Sequence, residues 1–436
     1  MLDIQFIRDN PDLVKQKSQQ KGYEVDIDEL LKRDESRRSL LQEIEKLRQQ
    51  RNEIAQRTRV AGSSPSPDDV LAGRQVKEQI ARIEVTLQET EKSFVDLLKA
   101  VPNMPLDDVP IGASEVENQV AKEVGDKKHF DFQPKTHWQL AEKRGLIDKE
   151  RAAKVAGTRF AYIKDGLVEL QFAIIQYVLR TLGDENVLKK LIAENNLQLE
   201  PKPFRPVLPP HMLKTEVYDA MDRLEPRDDR YKVGENDDNL WLEGSAEHTL
   251  GPMYMDEILD EDALPLRYLG YATSFRREAG TYGKDTEGII RMHQFDKLEM
   301  EVFGTASTGK DEHLLLVALQ EYMMQQLGIP YRVLLKCTAD IGKPNARGVD
   351  IEAWMPGENR YLETHTADYM TDYQARRLKT RVRNKEGNVE LIHTNDATAF
   401  ALGRIIAAII ENYQQQDEHI AVSEVLKPFM GGKEKI

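Results

Sequence analysis

The feature that most constrains this chain is a heptad rhythm near its start. Val76, Ile80, Ile83, Leu87, Thr90, Phe94, Leu97 and Val101 follow one another at alternating steps of four and three, and Leu40, Ile44, Leu47, Arg51 and Ile54 keep the same spacing. A 3.5-residue period draws one stripe down a helix, and such a stripe is stable only against a second one. The spacing therefore predicts two helices, over about 27–60 and 70–100. Between them VAGSSPSPDD supplies the Gly, Ser and Pro that stop one helix and start the next. So short a connection makes the helices antiparallel neighbours. At about 1.5 Å per residue each reaches ~50 Å. Two helices enclose too little interior for a globule, so the pair is expected to project as a rod.

The rod carries charge. Over residues 31–60, Lys32, Arg33, Arg37, Arg38, Lys46, Arg48, Arg51, Arg57 and Arg59 face five acids, Asp34, Glu35, Glu43, Glu45 and Glu53. This local excess of positive charge sits in a chain whose formal net charge is -14. Whole-chain acidity argues against a sequence-independent nucleic-acid coat, whereas a basic helix needs an anionic partner. Arg37, Arg38, Arg48 and Arg51 are the candidate contacts. The 436 residues are enough for two or three domains. No run of eighteen apolar residues occurs, which excludes a membrane-spanning helix. The lone Cys337 excludes an internal disulfide and any zinc site built on two or more cysteines. The opening MLDIQFIRDNPDLV has neither a cationic region nor a long apolar stretch, so a cytoplasmic location is expected.

Beyond the rod, residues 102–160 read as a linker-like stretch, beginning with VPNMPLDDVPIG. From about 160, helical pieces such as LVELQFAIIQYVLRTL alternate with short apolar strands at 265–275, 292–303, 331–337 and 349–355. A last helix is expected in FALGRIIAAIIENYQQ. Strands with few crossover helices imply an α+β core, an antiparallel sheet with helices packed on it. The expected division is an arm-bearing domain at 1–102, with the coiled coil at about 27–100, and a second domain at 103–436.

Neither a P-loop nor a dinucleotide fingerprint is present. What stands out is charge inside apolar strands. SFRREAGTYGKDTEGIIRMHQFDKLEME holds Arg276, Glu278, Arg291, His293, Lys297 and Glu299, with Gly280, Gly283 and Gly288 in the loop between two strands. Alternation puts Arg276 with Glu278 on one face and Lys297 with Glu299 on one face. Phe275, Phe295 and Phe303 flank these charges and imply burial. Buried charges need ligands or partners.

These residues resemble the second signature motif of class II aminoacyl-tRNA synthetases, in the form used by the seryl-tRNA synthetases: FRREAG, a glycine loop, then RMHQFDKLE. YLETHTADYMTDYQARRL is similar to that family's metal-binding stretch, and HTNDATAFALGR to its third motif, read as a small-residue turn before a helix. LPP at 208–210 resembles the first, dimer-forming motif, and WLEGSAEH the serine-binding loop. The resemblance runs in order along the whole chain. It implies the non-zinc bacterial and eukaryotic type of the enzyme: a class II core preceded by a coiled-coil arm, forming seryl-adenylate from L-serine and ATP and passing serine to its tRNA. It also implies a homodimer, and an arm that meets the long variable arm of serine tRNA, with selenocysteine tRNA a further substrate where one exists.

By the same resemblance Arg276 holds the α-phosphate and the serine carboxylate, and Arg404 the γ-phosphate. Glu278 accepts from the adenine amino group and Phe295 stacks on the ring. Glu363 and Thr366 hold Mg²⁺, a hard cation that takes oxygen ligands. Ser245, Glu247 and Glu299 face the substrate's amino group and side chain, and Thr398 receives its hydroxyl. Asp396 either adds an acceptor near the ammonium or caps the helix that follows. No zinc is expected; Cys337 is read as a core residue and His365 as structural. The chain departs from the family at Asp396-Ala397-Thr398, at Thr366-Ala367-Asp368-Tyr369 and in GKPNARGVD, yet hydroxyls survive at Ser245, Thr366 and Thr398. Two alternatives share the core: a ligase that charges a carrier protein, and a non-catalytic RNA-binding scaffold. The first lacks a long arm and the second loses the motif arginines, and this chain has both.

Overall fold

A computed structural model describes residues 1–60, 66–234, 239–279 and 287–436, with the side chains of 58–60 left out. The connection at 61–65 and the glycine loop at 280–286, with Gly280 and Gly283, lie outside the described residues. The chain divides into two compact units, Met1–Met104 and Pro105–Ile436.

The first unit holds helices α1 (Ile4–Asp9), α2 (Pro11–Gln20), α3 (Ile27–Val60) and α4 (Pro67–Ala100). The last begins three residues earlier than the heptad pattern suggests. Ser66 accepts from the Asp69 N–H, and Pro67 occupies the first turn, where its missing donor costs nothing. Val76, Ile80, Thr90, Phe94 and Ile44 are buried in the seam, while Ile83, Leu87 and Leu97 are only half-covered and Leu98 is buried in place of Leu97. A 3.6-residue helix drifts against a strict 3.5 repeat, and a two-helix pair covers each stripe from one side only.

The second unit is built on an eight-stranded sheet: β1 (Gln119–Val124), β2 (Arg205–Val207), β3 (Leu266–Phe275), β4 (Gln294–Gly304), β5 (Tyr331–Leu335), β6 (Arg347–Met355), β7 (Arg360–Thr371) and β8 (His393–Ala401). Their spatial order is β1-β5-β6-β7-β8-β4-β3-β2, antiparallel throughout except for the β2–β3 pair. One face packs on α5 (Gly166–Leu182), α6 (Gly309–Leu327) and α7 (Leu402–Tyr413). Strict alternation along β4 explains its charged apolar text. Leu298, Met300 and Val302 enter the helix-covered core, so Lys297, Glu299 and Glu301 take the opposite face.

Two expectations are corrected here. Residues 102–160 are not a linker. They supply β1, which pairs with β5 at the sheet edge, and the helix His137–Lys143, whose start carries a capping box between Thr136 and Gln139. QVAKEV is an edge strand with mostly exposed side chains, so it shows no apolar alternation. HTNDATAFA is a strand, not a turn, and Ala401 holds the N-cap position of α7. Asp396 is mid-strand and caps nothing.

Candidate active site

Arg276, Glu278, Phe295, Glu363, Thr366, Thr398 and Arg404 line one cavity on the open face of the sheet, together with Lys297 and Arg291. They come from six places: the chain just past β3, the turn just before β4, strands β4, β7 and β8, and the first turn of α7. Gly403 makes this convergence possible. A Cβ there would meet the Ile289 carbonyl oxygen at 2.5 Å, so only glycine lets the helix start press against the turn that leads into Arg291. From the core side, the buried Gln320 amide donates to the carbonyls of Thr366 and Thr398, 2.8 Å each, and pins β7 to β8 under the cavity.

Each charged group has a defined neighbour. The Arg276 Nε donates to the Gly244 carbonyl at 2.9 Å, and its guanidinium lies 5.4 Å from the centre of the Phe295 ring. Arg291 donates to Glu278 at 2.5 Å. Arg404 donates to both the carboxylate and the carbonyl of Glu363 at 2.8 Å. The Thr366 Oγ1 is buried and makes no hydrogen bond of normal geometry. That orphaned hydroxyl, three residues from the Glu363 carboxylate and opposite Asp350 in the β6–β7 register, is an all-oxygen donor set that fits a hard divalent cation.

The inner wall is a second cluster. Lys297 Nζ lies 2.5 Å from Glu299, 2.8 Å from the Ser245 hydroxyl and 3.9 Å from Glu247. All four are buried. The two carboxyls behave oppositely. Burial pushes Glu299 up to about 8 against the pull of Lys297. Glu247 meets the same desolvation, yet Lys297 and Arg223 hold it well below the usual carboxylate range. One wall thus offers an anion and a carboxyl able to donate, suited to an ammonium and a hydroxyl.

Of the expected serine-binding residues, Arg276 and Thr398 line the cavity; Ser245, Glu247 and Glu299 connect to it through Lys297, and Asp396 does not line it. Asp396 stands one row behind Thr398 and pairs with Arg223 at 3.3 Å. His365 faces the core, with Nδ1 2.8 Å from the Thr364 hydroxyl and its ring against Phe400, and burial pushes it down to about 3. Cys337 is a buried free thiol. Sequence reasoning left Lys297 without a role, although its two-residue offset from Glu299 placed both on one face. It missed Gln320 and Arg223 outright; neither sits in a motif. Elsewhere, His137, Glu358 and Glu411 come together as a metal-like group. Both Glu411 oxygens accept backbone N–H groups, from His137 on one side and Gly357 and Glu358 on the other, which makes the group a hydrogen-bonded staple.

On the arm, Arg38, Arg48 and Arg51 are exposed, and Arg48 lies 3.3 Å from Glu84. Arg37 is turned inward, over the Phe94 ring at 4.6 Å and paired with Asp34 at 3.2 Å.

An antiparallel sheet whose open face gathers two motif arginines, an aromatic platform and oxygen donors defines the class, and the family model for the tRNA synthetase class II core domain (G, H, P, S and T) matches residues 231–413. The model for the seryl-tRNA synthetase N-terminal domain matches residues 1–105. The serine–tRNA ligase of Symbiobacterium thermophilum is 37% identical over 432 residues, covering 98% of each chain. That of Thermodesulfovibrio yellowstonii is 38% identical over 439 residues, covering 99% of each. Among solved structures, the Pyrococcus horikoshii seryl-tRNA synthetase complexed with ATP matches with a TM-score of 0.88 at 34% identity, covering 100% of this chain and 99% of that one. The Naegleria fowleri cytoplasmic serine–tRNA ligase in complex with AMP matches at 0.85 and 26% identity, covering 100% and 98%. The chain belongs to the seryl-tRNA synthetases, class II ligases that activate serine and join it to tRNA. Nothing in these comparisons favours a carrier-protein ligase or a non-catalytic scaffold.

Proposed function

We propose that the cavity between β4, β7, β8 and the start of α7 is where serine is activated, with each residue in a distinct role. Arg276 grips the α-phosphate of ATP and the serine carboxylate, bringing nucleophile and phosphorus into one fork. Arg404 takes the γ-phosphate, Glu278 accepts from the adenine amino group, and Phe295 carries the ring. Glu363 and Thr366 hold Mg²⁺, which when bound supplies divalent charge against the phosphate oxygens. Glu247 and Ser245 receive the ammonium. Glu299 and Thr398 receive the hydroxyl, with Lys297 tying Glu299 to Ser245. The serine carboxylate then attacks the α-phosphorus in line and pyrophosphate leaves. Positioning and charge neutralisation lower the barrier without a protein nucleophile.

Residues 1–102 form the tRNA-binding domain in this reading, meeting the long variable arm of serine tRNA through Arg38, Arg48 and Arg51, and 103–436 the catalytic domain. Arg37 steadies the arm from within. Two copies pair through the segment around the exposed Leu208, so that one subunit's arm presents tRNA to the other's cavity. The protein acts in the cytoplasm and needs no zinc.

The observation that carries the reading is the convergence of Arg276, Glu278, Phe295, Glu363, Thr366, Thr398 and Arg404 on one cavity, with Lys297 joining it to the buried Ser245, Glu247 and Glu299. Arg276→Ala and Arg404→Ala are expected to lower serine-dependent ATP–pyrophosphate exchange ~10²–10³-fold or more, the ~3–5 kcal/mol effect of losing a charge-assisted phosphate contact. Near-normal exchange in either variant would remove that residue from the site.

A further inference from the structure

Behind the serine wall the sheet carries a second row of charge. Glu301 stands opposite Asp396 across β4 and β8, and Asp396 opposite Asp368 across β8 and β7. Residues directly opposite share a face, so three carboxyls lie side by side. They are 1%, 3% and 7% exposed, respectively for Glu301, Asp396 and Asp368. Both Glu301 oxygens and the Asp368 Oδ1 are buried without a hydrogen-bond partner. The row in front of this one is Glu299 opposite Thr398. The carboxyls behind Thr398 therefore border the wall that Thr398 and Glu299 form.

One cation reaches the middle of this row. Arg223 follows the short helix Thr215–Ala220, and its Nη2 lies 3.3 Å from both Asp396 Oδ2 and Asn345 Oδ1. Its position is fixed from several sides. The neighbouring Asp222 accepts from the Tyr373 hydroxyl at 2.9 Å and pairs with Lys343 at 3.2 Å, and the Arg223 carbonyl accepts from Arg230 at 3.3 Å. The Arg223 Nε is buried and without a partner. A guanidinium with an unused buried donor is held there by charge, not by a saturated hydrogen-bond network.

We propose that Arg223 is a positioning residue for the amino-acid pocket: acting through Asp396, it fixes the orientation and charge of that carboxylate directly behind Thr398 and so sets the affinity for serine, with no part in holding ATP. This rests on the reading of the Thr398 wall as the serine pocket. Without Arg223, Asp396 stands between two other carboxyls with no cation in contact. It must then take a proton or turn away, and either change alters the field at the ammonium. A neutral amide at both positions removes the strain of either single change.

The test is a double-substitution cycle on the full-length enzyme. Parent, Arg223→Gln, Asp396→Asn and the double variant are compared in ATP–pyrophosphate exchange, titrating serine at saturating ATP and ATP at saturating serine. Each single change is expected to raise the KM for serine about tenfold or more, with the KM for ATP within about twofold. The double variant is expected to be no worse than the weaker single one, a coupling of at least tenfold. Losses that multiply, equal movement of both KM values, or an unchanged serine KM would each overturn the proposal. If Arg223→Gln does not fold, Arg223→Lys keeps the charge and loses the fork. A serine KM raised less than about tenfold with the ATP KM fixed supports the proposal, and a shift in the ATP KM alone overturns it. Should the parent prefer another amino acid, the pocket reading fails by that result, and the cycle is run with the preferred one.

Discussion

Lys297→Met would show whether the inner wall works as one electrostatic unit. Methionine keeps most of the length of the side chain and removes its charge. The ammonium it replaces lies 2.5 Å from Glu299, 2.8 Å from the Ser245 hydroxyl and 3.9 Å from Glu247, in a site closed to solvent. Removing one partner of a buried ion pair usually costs ~3–5 kcal/mol, because the other charge is left stranded. Glu299 relieves part of that here. Burial already pushes it up to about 8, with Lys297 the chief influence opposing it, so little charge remains on it near neutrality. Glu247 loses its strongest opposing charge and keeps Arg223, since burial holds the His248 imidazole neutral at this pH. The expected loss is therefore below the usual range, ~2–3 kcal/mol in urea unfolding at pH 7. Serine-dependent exchange should fall ~10²-fold in kcat/KM, since the wall proposed to receive the ammonium and hydroxyl loses its tie. A variant with the parent's unfolding midpoint and its kcat/KM for serine would refute the idea that Lys297 organises the wall.

Deleting residues 31–99 is expected to leave seryl-adenylate formation largely intact and abolish tRNA charging, and equal loss of both would detach the arm from tRNA recognition. Binding of tRNA to the full chain should weaken steeply with salt, through counterion release from the arm's phosphate contacts. A pH effect follows from Glu299, a carboxyl that titrates near 4.5 when free and about 8 in place. The native state holds its proton where the unfolded state does not, so stability falls as pH rises from about 4.5 to about 8, by up to ~1.4 kcal/mol per pH unit. Glu299→Gln should flatten that slope across the window, and an unchanged slope would mean that Glu299 is not held protonated.

Part of the cavity was legible in the sequence because Phe295 and Lys297 lie on one strand, where a two-residue offset fixes which side chains share a face; Arg276, Glu278 and Arg404 lie outside the strands and were placed at the site by motif resemblance alone. Lys297, Glu299 and Glu301 share one face of β4 for that reason, and Leu298, Met300 and Val302 the other. The arm was legible because a heptad stripe has one structural meaning. Two kinds of feature were not. β1 is an edge strand whose exposed polar side chains leave no period to read, so a piece of the main sheet looked like a linker. The resemblance to the third motif makes HTNDATAFA a small-residue turn. In the sheet those same residues are buried, and Asn395 reaches the Gly309 carbonyl at 3.1 Å. Gln320 and Arg223 were invisible for another reason. Each touches the site across 46 or more positions of chain, and no local spacing announces such a contact.

The most direct measurement is ATP–pyrophosphate exchange across the amino acids for the parent and for Thr398→Val. Thr398 lines the cavity opposite Glu299, where a substrate hydroxyl would be received, and a wall built to hydrogen-bond that hydroxyl leaves its own polar groups unpaired when the hydroxyl is missing. The parent is expected to activate serine at least ~100-fold better than alanine or threonine, and Thr398→Val, which keeps the shape and loses the hydroxyl, to erode the margin over alanine most. Outright preference for another amino acid, or a Thr398→Val variant that separates serine from alanine as well as the parent does, would contradict the assignment of this wall to serine.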